Sequence, residues 1–470
     1  MTAESMSTPS PLNMLGVRED AGLPARLAQS AATGDMGGQI SIEQFTSWLA
    51  DRIVASRFRV DRIPFNEMDA WSFHPDTGNL VHRSGRFFSV EGLHVAVGDG
   101  PSFHEWQQPI INQPEVGILG IIAKEFCGVL HFLMQAKMEP GNINLVQLSP
   151  TVQATRSNYT KAHNGSNVKY LEYFTGLQRA QVMVDVMQSE HGSWFHQKFN
   201  RNVVVETAED VVLSDGFCWL TLGQIGELLR RDNVVNMDSR TVLACLPMPF
   251  YETGALHSDT EILSWYAAER SRQSVEVRRV PLAGVSGWTR GADSIDHELD
   301  WYFRVVAVRA QASNREVSAW TQPLLEPLGV GVTAFLTRKF GGVPHLLAHA
   351  RVEAGFIDRI ELGPTVQYTP QHYAHLTGAA RPPFLDLVLT ADADRIRYEA
   401  IHSEEGGRFL NAQARYLIVE ADESQVPDEP PLGYRWLTPG QLNTLVRYGR
   451  HVNVQARTLI SVLITHVAKL

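Results

Sequence analysis

Cysteine is nearly absent. Cys127, Cys218 and Cys245 are the only three in 470 residues. Odd in number and without metal-ligand spacing, they exclude a disulfide framework and a His/Cys metal centre, and imply buried, reduced thiols. Basic surplus is missing too. The formal net charge is −10 with 20% charged residues, which excludes a nucleic-acid protein relying on a basic face. An anionic small ligand is still compatible, because a few local arginines can hold a phosphate inside an acidic chain. No run of some 18 apolar residues occurs, and no basic start precedes an apolar stretch. The expectation is therefore a cytoplasmic protein with no membrane span. No full G-x-G-x-x-G follows a strand (GVGV at 329–332 is too short), and no Walker loop or G-x-S-x-G elbow is present. These absences indicate no cofactor and no metal.

What the chain does contain is itself, twice. LSPTVQATRSNY at 148–159 returns as LGPTVQYTPQHY at 362–373. Aligning Gln108 with Gln322 and running without gaps to Gln153 and Gln367 gives eighteen identities in 46 columns. The same register carries SEHG (189–192) onto SEEG (403–406), and a slightly longer one carries NMDSRT (236–241) onto NVQART (453–458). Upstream, FTSWLA pairs with ILSWYA and Trp71 with Trp288. A unit of ~200 residues has been duplicated, which also suits a length that one core does not usually organise. The division reads as an arm over 1–38, mobile or wrapped round a partner subunit, then modules over 39–250 and 251–470.

Each module reads as α+β, with mixed sheets flanked by helices. Residues 40–58 have helical spacing, with Ser41 as cap and Trp48, Leu49 and Ile53 on one stripe. Residues 116–126 and 129–139 read as strands joined at a Cys127-Gly128 turn. QVMVDVMQSEHG and RNVVVET read as a further hairpin. Thr221 caps a helix whose partner has Pro439 at its first position, and a last helix carries Asn236 and Arg240.

On the strand 129–139, alternation puts His131, Leu133, Gln135, Lys137 and Glu139 on one face. The second copy shows His345, Leu347, His349, Arg351 and Glu353 there. A strand wet on one side gives this pattern with no function. A candidate site is favoured because both copies keep His, a cation and Glu, and both run into Pro-Thr-Val-Gln. Pro and Val suit an edge strand, whereas Gln153/Gln367 and Tyr159/Tyr373 carry polar heads that need partners if buried. An amide can read a pyrimidine edge. Trp71 and Trp288 either stack on a base or fill cores. Asn236 and Arg240, like Asn453 and Arg457, share a helix face. Such a guanidinium either clamps a diphosphate or closes a domain contact.

FFSVEGLHV (87–95), the run 107–160, and TQPLLEPLGVGV, VEAGF and ELGPTVQYT in the second half together resemble the NDP-hexose 2,3-dehydratases. The likeness covers nearly everything after about residue 40, departing only at Cys127 and the GNINLVQ segment (141–147). It implies two tandem Nudix-like modules, a homodimer, and dTDP-4-keto-6-deoxy-glucose as substrate, converted to a 3,4-diketo-2,6-dideoxy sugar. It also implies two dTDP-sugar pockets per subunit, one of them a candidate dead end, and functional coupling to a 3-ketoreductase. Neither half carries the Nudix metal-binding cluster, so the expectation is a grip on the nucleotide sugar redirected to another reaction.

With that chemistry in view, Glu139 or His131 is the candidate base. Tyr159 or Lys137 is the candidate donor to the leaving hydroxyl or the enolate. Ser149, Pro150, Thr151, Val152 and Gln153, with Arg156, Ser157 and Asn158, are expected to line the nucleotide end. Asn236, Arg240 and Trp71 are expected to join them. The second pocket would use Gly363, Pro364, Thr365, Val366, Gln367 and Tyr373, with Arg351, Glu353, Trp288, Asn453 and Arg457. The first pocket is favoured because its PTVQ segment carries more donors, whereas Pro370 removes an amide from the second. The rival readings are a metal-dependent Nudix hydrolase and a non-catalytic nucleotide-sugar binder.

Overall fold

A computed structural model describes residues 20–98, 103–155, 168–250, 254–312, 319–468 and 470. Two seven-stranded mixed sheets share one plan. In the first, Gln181–Ser189, Phe199–Glu206, Gly117–Phe126, Val129–Met138 and Phe217–Leu220 lie side by side; the second repeats this with Ile396–Ser403, Gln413–Glu420, Gly331–Phe340, Val343–Val352 and Tyr434–Leu437. Each holds one parallel pair, Phe199–Glu206 on Gly117–Phe126 and Gln413–Glu420 on Gly331–Phe340. The expected α+β class and the expected hairpins are present. Cys127 and Gly128 turn the first with φ of 49° and 82°, as a tight two-residue turn with both φ positive requires. Cys218 and Cys245 are buried as expected, but Cys127 stands exposed on that turn.

The repeated Pro-Thr-Val-Gln marks a fork in each sheet. The hairpin of Gly117–Phe126 and Val129–Met138 is paired only from Ile122/Leu133 to its turn. Beyond that point the chain 146–154 wedges between the two strands. Val146–Ser149 pairs with Val129–Met138, the chain crosses at Pro150-Thr151, and Val152–Ala154 pairs with Gly117–Phe126. Proline suits the crossing because no ladder donor is needed there. Thr151 closes the fork: its hydroxyl accepts from the Ile122 amide at 3.0 Å and donates to the Leu133 carbonyl. Thr365 repeats both bonds with Leu336 and Leu347.

Helix ends follow the sequence. Ser41, Thr221 and Thr438 each cap a helix in a reciprocal box with a glutamine three residues on. Helix Ile42–Ser56 buries Ile42 and Phe45, whereas Ile53, expected on the buried stripe, is 43% exposed. Where residues 1–38 were expected as an arm, the described part is fastened down. Helix Leu23–Ala32 buries Leu23, Leu27 and Ala31 in the shared core, and Ser30 donates to the Leu130 carbonyl at 2.7 Å. Burying one such leucine contributes ~2 kcal/mol, enough to oppose the freedom of a loose end. No helix among the described residues is long and apolar enough to cross a membrane.

The two modules are not laid end to end at residue 250. Strand Arg59–Ile63 of the first half pairs with Phe303–Gln311 of the second, and Val275–Val280 of the second pairs with Ser89–Val97 of the first. Each half thus completes the other's small sheet. Helices Met237–Leu243 and Val454–Ile464 pack together in one core drawn from both halves.

Candidate active site

At the end of strand Val129–Met138, beyond the fork, the sequence brings its polar letters together. Gln153, one step past the crossing, donates through Nε2 to Glu139 at 2.5 Å, and Asn142 donates to the other Glu139 oxygen at 3.1 Å. The Gln153 carbonyl oxygen of the side chain faces Ser149 Oγ at 3.1 Å and Asn236 Nδ2 at 3.5 Å. Lys137 Nζ reaches the Gln153 backbone carbonyl at 3.3 Å. Asn236 arrives because it caps helix Met237–Leu243, its side chain accepting from the Ser239 amide at 2.9 Å. Glu139 is 4% exposed, so the face that alternation could have left wet is covered. Asn142 lies in the segment expected to touch no role, yet it holds Glu139.

The second module repeats the arrangement. Gln367 donates to Glu353 at 2.9 Å, Arg351 Nε donates to the same carboxylate at 3.1 Å, and Asn453 donates to Gln367 at 2.8 Å. The Arg351 guanidinium lies 5.1 Å over the Tyr368 ring, with Tyr373 edge-on to that ring. Burial raises the Tyr373 phenol, against the nearby Arg351 charge. Gly363 stands where the first module has Ser149; a β-carbon there would come 3.1 Å from Asn453 Nδ2.

Several expected residues have other work. His131 is fully buried with its ring nitrogens 2.9 and 3.1 Å from the Val129 and Gly37 carbonyls. It sits roughly 25 Å along the strand from Glu139, where it anchors the segment after the first helix. His345 likewise accepts from the Leu256 amide at 3.0 Å. Burial holds both imidazoles below their ordinary range. Trp71 packs against His82 and Phe88, and Trp288 against His297 and Phe303, in the core of the exchanged small sheets.

Arg240 and Arg457 are fully buried, and each guanidinium is spent on the protein. Arg240 donates to Thr458, the Val235 carbonyl and the Ser403 carbonyl; Arg457 mirrors it on Thr241, Val452 and Ser189. They close the module contact, with every guanidinium nitrogen engaged and the side chain sealed from solvent, away from any bound diphosphate. Pro150, Thr151 and Val152, with Pro364, Thr365 and Val366, build the forks, and both valines lie in the core. Arg156, Ser157, Asn158 and Tyr159 lie outside the described residues.

Around the first Glu139 cluster stand ionisable groups that sequence reading passed over. Asp238, two residues past Asn236, is buried. Its carboxyl is held well above the ordinary aspartate range by burial, then by the charges of Glu139, Glu190 and Glu405, with Lys137 opposing. Glu190 accepts from Asn200 at 2.6 Å. Lys198, donating to Asn200 at 2.9 Å and to the Glu115 carbonyl, is brought down to about 8 by burial. Glu405 comes from the second module and is pushed up to about 7 by burial, with Arg408 opposing and Glu139 and Glu190 adding. One Glu190 oxygen and one Glu405 oxygen are buried without a hydrogen-bond partner among the described residues. The signal was available: Asp238 aligns with Gln455, Lys198 with Ala412, and His191 with Glu405, so the two copies differ in charge where their frameworks agree.

The profile of the family described as NDP-hexose 2,3-dehydratase matches residues 42–246 and again 259–463. A dTDP-4-dehydro-6-deoxy-alpha-D-glucopyranose 2,3-dehydratase of Amycolatopsis orientalis is 61% identical over 440 residues, 93% of this chain and 93% of that protein. The protein of that name from Saccharopolyspora spinosa is 49% identical over 92% of this chain and 93% of its own length. That of Streptomyces violaceoruber is 47% identical over 89% and 96%.

Proposed function

This chain belongs to the NDP-hexose 2,3-dehydratase family, and from that premise we propose that it removes water across C-2 and C-3 of dTDP-4-dehydro-6-deoxy-glucose. The observation that carries the reading is the Glu139–Gln153–Asn236 constellation, set at the end of a forked sheet in a chain 61% identical to an enzyme of that name.

The C-4 ketone acidifies the C-3 hydrogen, so a positioned carboxylate can remove it and leave an enolate. Glu139 is that base. Its oxygens are oriented by Gln153 and Asn142, so the lone pair aimed at C-3 is set before substrate arrives. Lys137, its ammonium at the Gln153 carbonyl, supplies positive charge toward the C-4 oxyanion. The ketone already in place serves as electron sink, so the elimination requires no carbonyl cofactor. Hydroxide leaves poorly and must be protonated as it goes.

We further propose that each module is Nudix-like, supported by the mixed sheet with one parallel pair and flanking helices. On the family resemblance we add a homodimer and a downstream 3-ketoreductase that consumes the unstable diketone. Arg156, Ser157, Asn158 and Tyr159 remain proposed contacts to the nucleotide end, from sequence position.

The test is incubation of the purified protein, with chelator and no added metal, with the 4-keto sugar nucleotide. Loss of dTDP with maltol formation is the expected result. Release of dTMP would establish the hydrolase instead, and binding without turnover the non-catalytic reading.

A further inference from the structure

We propose that Asp238 is the acid that protonates the departing C-2 hydroxyl, paired with Glu139 as base, and that its replacement by Gln455 in the second copy confines turnover to the first module. The inference rests on the dehydratase reading above and names the acid which that reading requires.

Asp238 is brought to Glu139 by a chain of contacts. Glu139 is held by Gln153, Gln153 faces the Asn236 amide, and Asn236 caps the helix whose second residue is Asp238. The two carboxyl groups are 99 positions apart in sequence and are linked through that cap. The charged groups that act on Asp238 are Glu139, Glu190 and Glu405, which raise its carboxyl, and Lys137, which opposes them. Three carboxylates and burial favour its neutral, proton-bearing form, whereas an elimination needs one carboxyl ionised and its neighbour protonated. In the second module Gln455 Nε2 lies 2.7 Å from His191 Nδ1, and an amide has no acidic proton to give.

The step balances. Glu139 takes the C-3 proton and the C–H electron pair forms the C-3/C-4 enolate. As the C-4 ketone re-forms, that pair makes the C-2/C-3 double bond and the C-2–oxygen bond breaks, Asp238 giving its proton to the leaving oxygen and releasing water. The resulting enol then loses its C-3 hydroxyl proton to Asp238, while Glu139 returns its proton to C-2. The 3-ketone forms and both carboxyl groups end as they began.

The experiment compares wild type, Asp238→Asn and Asp238→Glu on the 4-keto sugar nucleotide and on its 2-deoxy-2-fluoro analogue, whose fluoride leaves with far less need of a proton. The expected result is a kcat about 100-fold or more lower for Asp238→Asn on the natural substrate, with KM within a few-fold. Exchange of the C-3 hydrogen in D2O should persist, and turnover of the fluoro analogue should stay within a few-fold of wild type. Asp238→Glu, which keeps a proton, should recover part of the activity. Unchanged kcat in Asp238→Asn, or loss of C-3 exchange together with turnover, would overturn the assignment. Should the variants not fold, wild type alone decides: its alkaline loss of kcat should be present with the hydroxyl substrate and absent with the fluoro analogue, and an identical limb with both refutes the proposal. A wild-type protein that neither exchanges C-3 nor releases water refutes the dehydratase reading itself, a result distinct from any of these.

Discussion

Arg457 Nε donates to Thr241 at 2.7 Å across the contact between the two modules, and Arg240 Nε returns the bond to Thr458 at 3.2 Å. The reciprocity makes one folding unit of a duplicated chain. Replacing either arginine by methionine leaves two buried carbonyls and a hydroxyl unpaired, and should cost about 3–5 kcal/mol. Urea unfolding measures it, and a single cooperative transition in wild type is part of the expectation.

Gly141 and Gly355 permit the closest approach along the same seam. The Gly141 amide donates to Gly406 and the Gly355 amide to Gly192, each at 2.7 Å. A β-carbon would come within 1.7 Å of the Phe409 carbonyl oxygen at the first and 1.8 Å of the Phe195 carbonyl oxygen at the second. Gly141→Ala and Gly355→Ala should therefore each lose about 3 kcal/mol or more. Gly128→Ala meets no neighbouring atom and should lose only about 1 kcal/mol, from its positive φ. Thermal melts of the three variants separate the two causes.

Glu139→Gln should lower kcat by about 10²–10⁴-fold, and Glu353→Gln by less than tenfold. Both are assayed by dTDP and maltol release, with folding confirmed by circular dichroism. Equal losses would remove the assignment of catalysis to the first module.

His191 Nε2 lies 3.1 Å from Glu404 in the sealed contact between modules. Burial opposes charge on His191, but the hydrogen bond and charge of Glu404 outweigh it and raise the imidazole above its ordinary range. Glu404 is opposed by burial in turn and is lowered by His191. The signs follow from linkage. The His191 contribution is complete below the unfolded imidazole value of about 6.5 and is lost as pH rises through the raised folded value. The Glu404 contribution is present above the unfolded carboxylate range and lost as pH falls through the lowered one. Stability measured in urea should thus fall from pH 6 towards 9 more steeply in wild type than in His191→Gln. Parallel curves would mean that the pair carries no proton in the folded protein.

Much of this fold is written locally. The duplication, the hairpin at Cys127-Gly128 and the serine and threonine caps can all be read from spacing, because strand alternation, turn φ and capping depend on neighbours a few residues away. The repeated Pro-Thr-Val-Gln was legible as important, and Glu139, Gln153, Lys137 and Asn236 do meet. The role of the motif was not legible: Thr151 and Thr365 close forks, which requires knowing that a third strand enters an open hairpin. His131 misled for the opposite reason, since burial turned a chemically capable side chain into an anchor, while Trp71 took the core-filling alternative of the two that the sequence left open.

By itself, then, the sequence determined two copies of one α+β unit and the polar letters that recur in them. Tertiary structure alone decided that the halves exchange strands, that Arg240 and Arg457 bind the modules rather than a ligand, and that the helix carrying Asp238 is capped by the Asn236 that faces Gln153. The physical reason is that periodicity fixes which way a side chain points from its own element. What it meets there depends on desolvation and charge contributed by segments a hundred or more residues away.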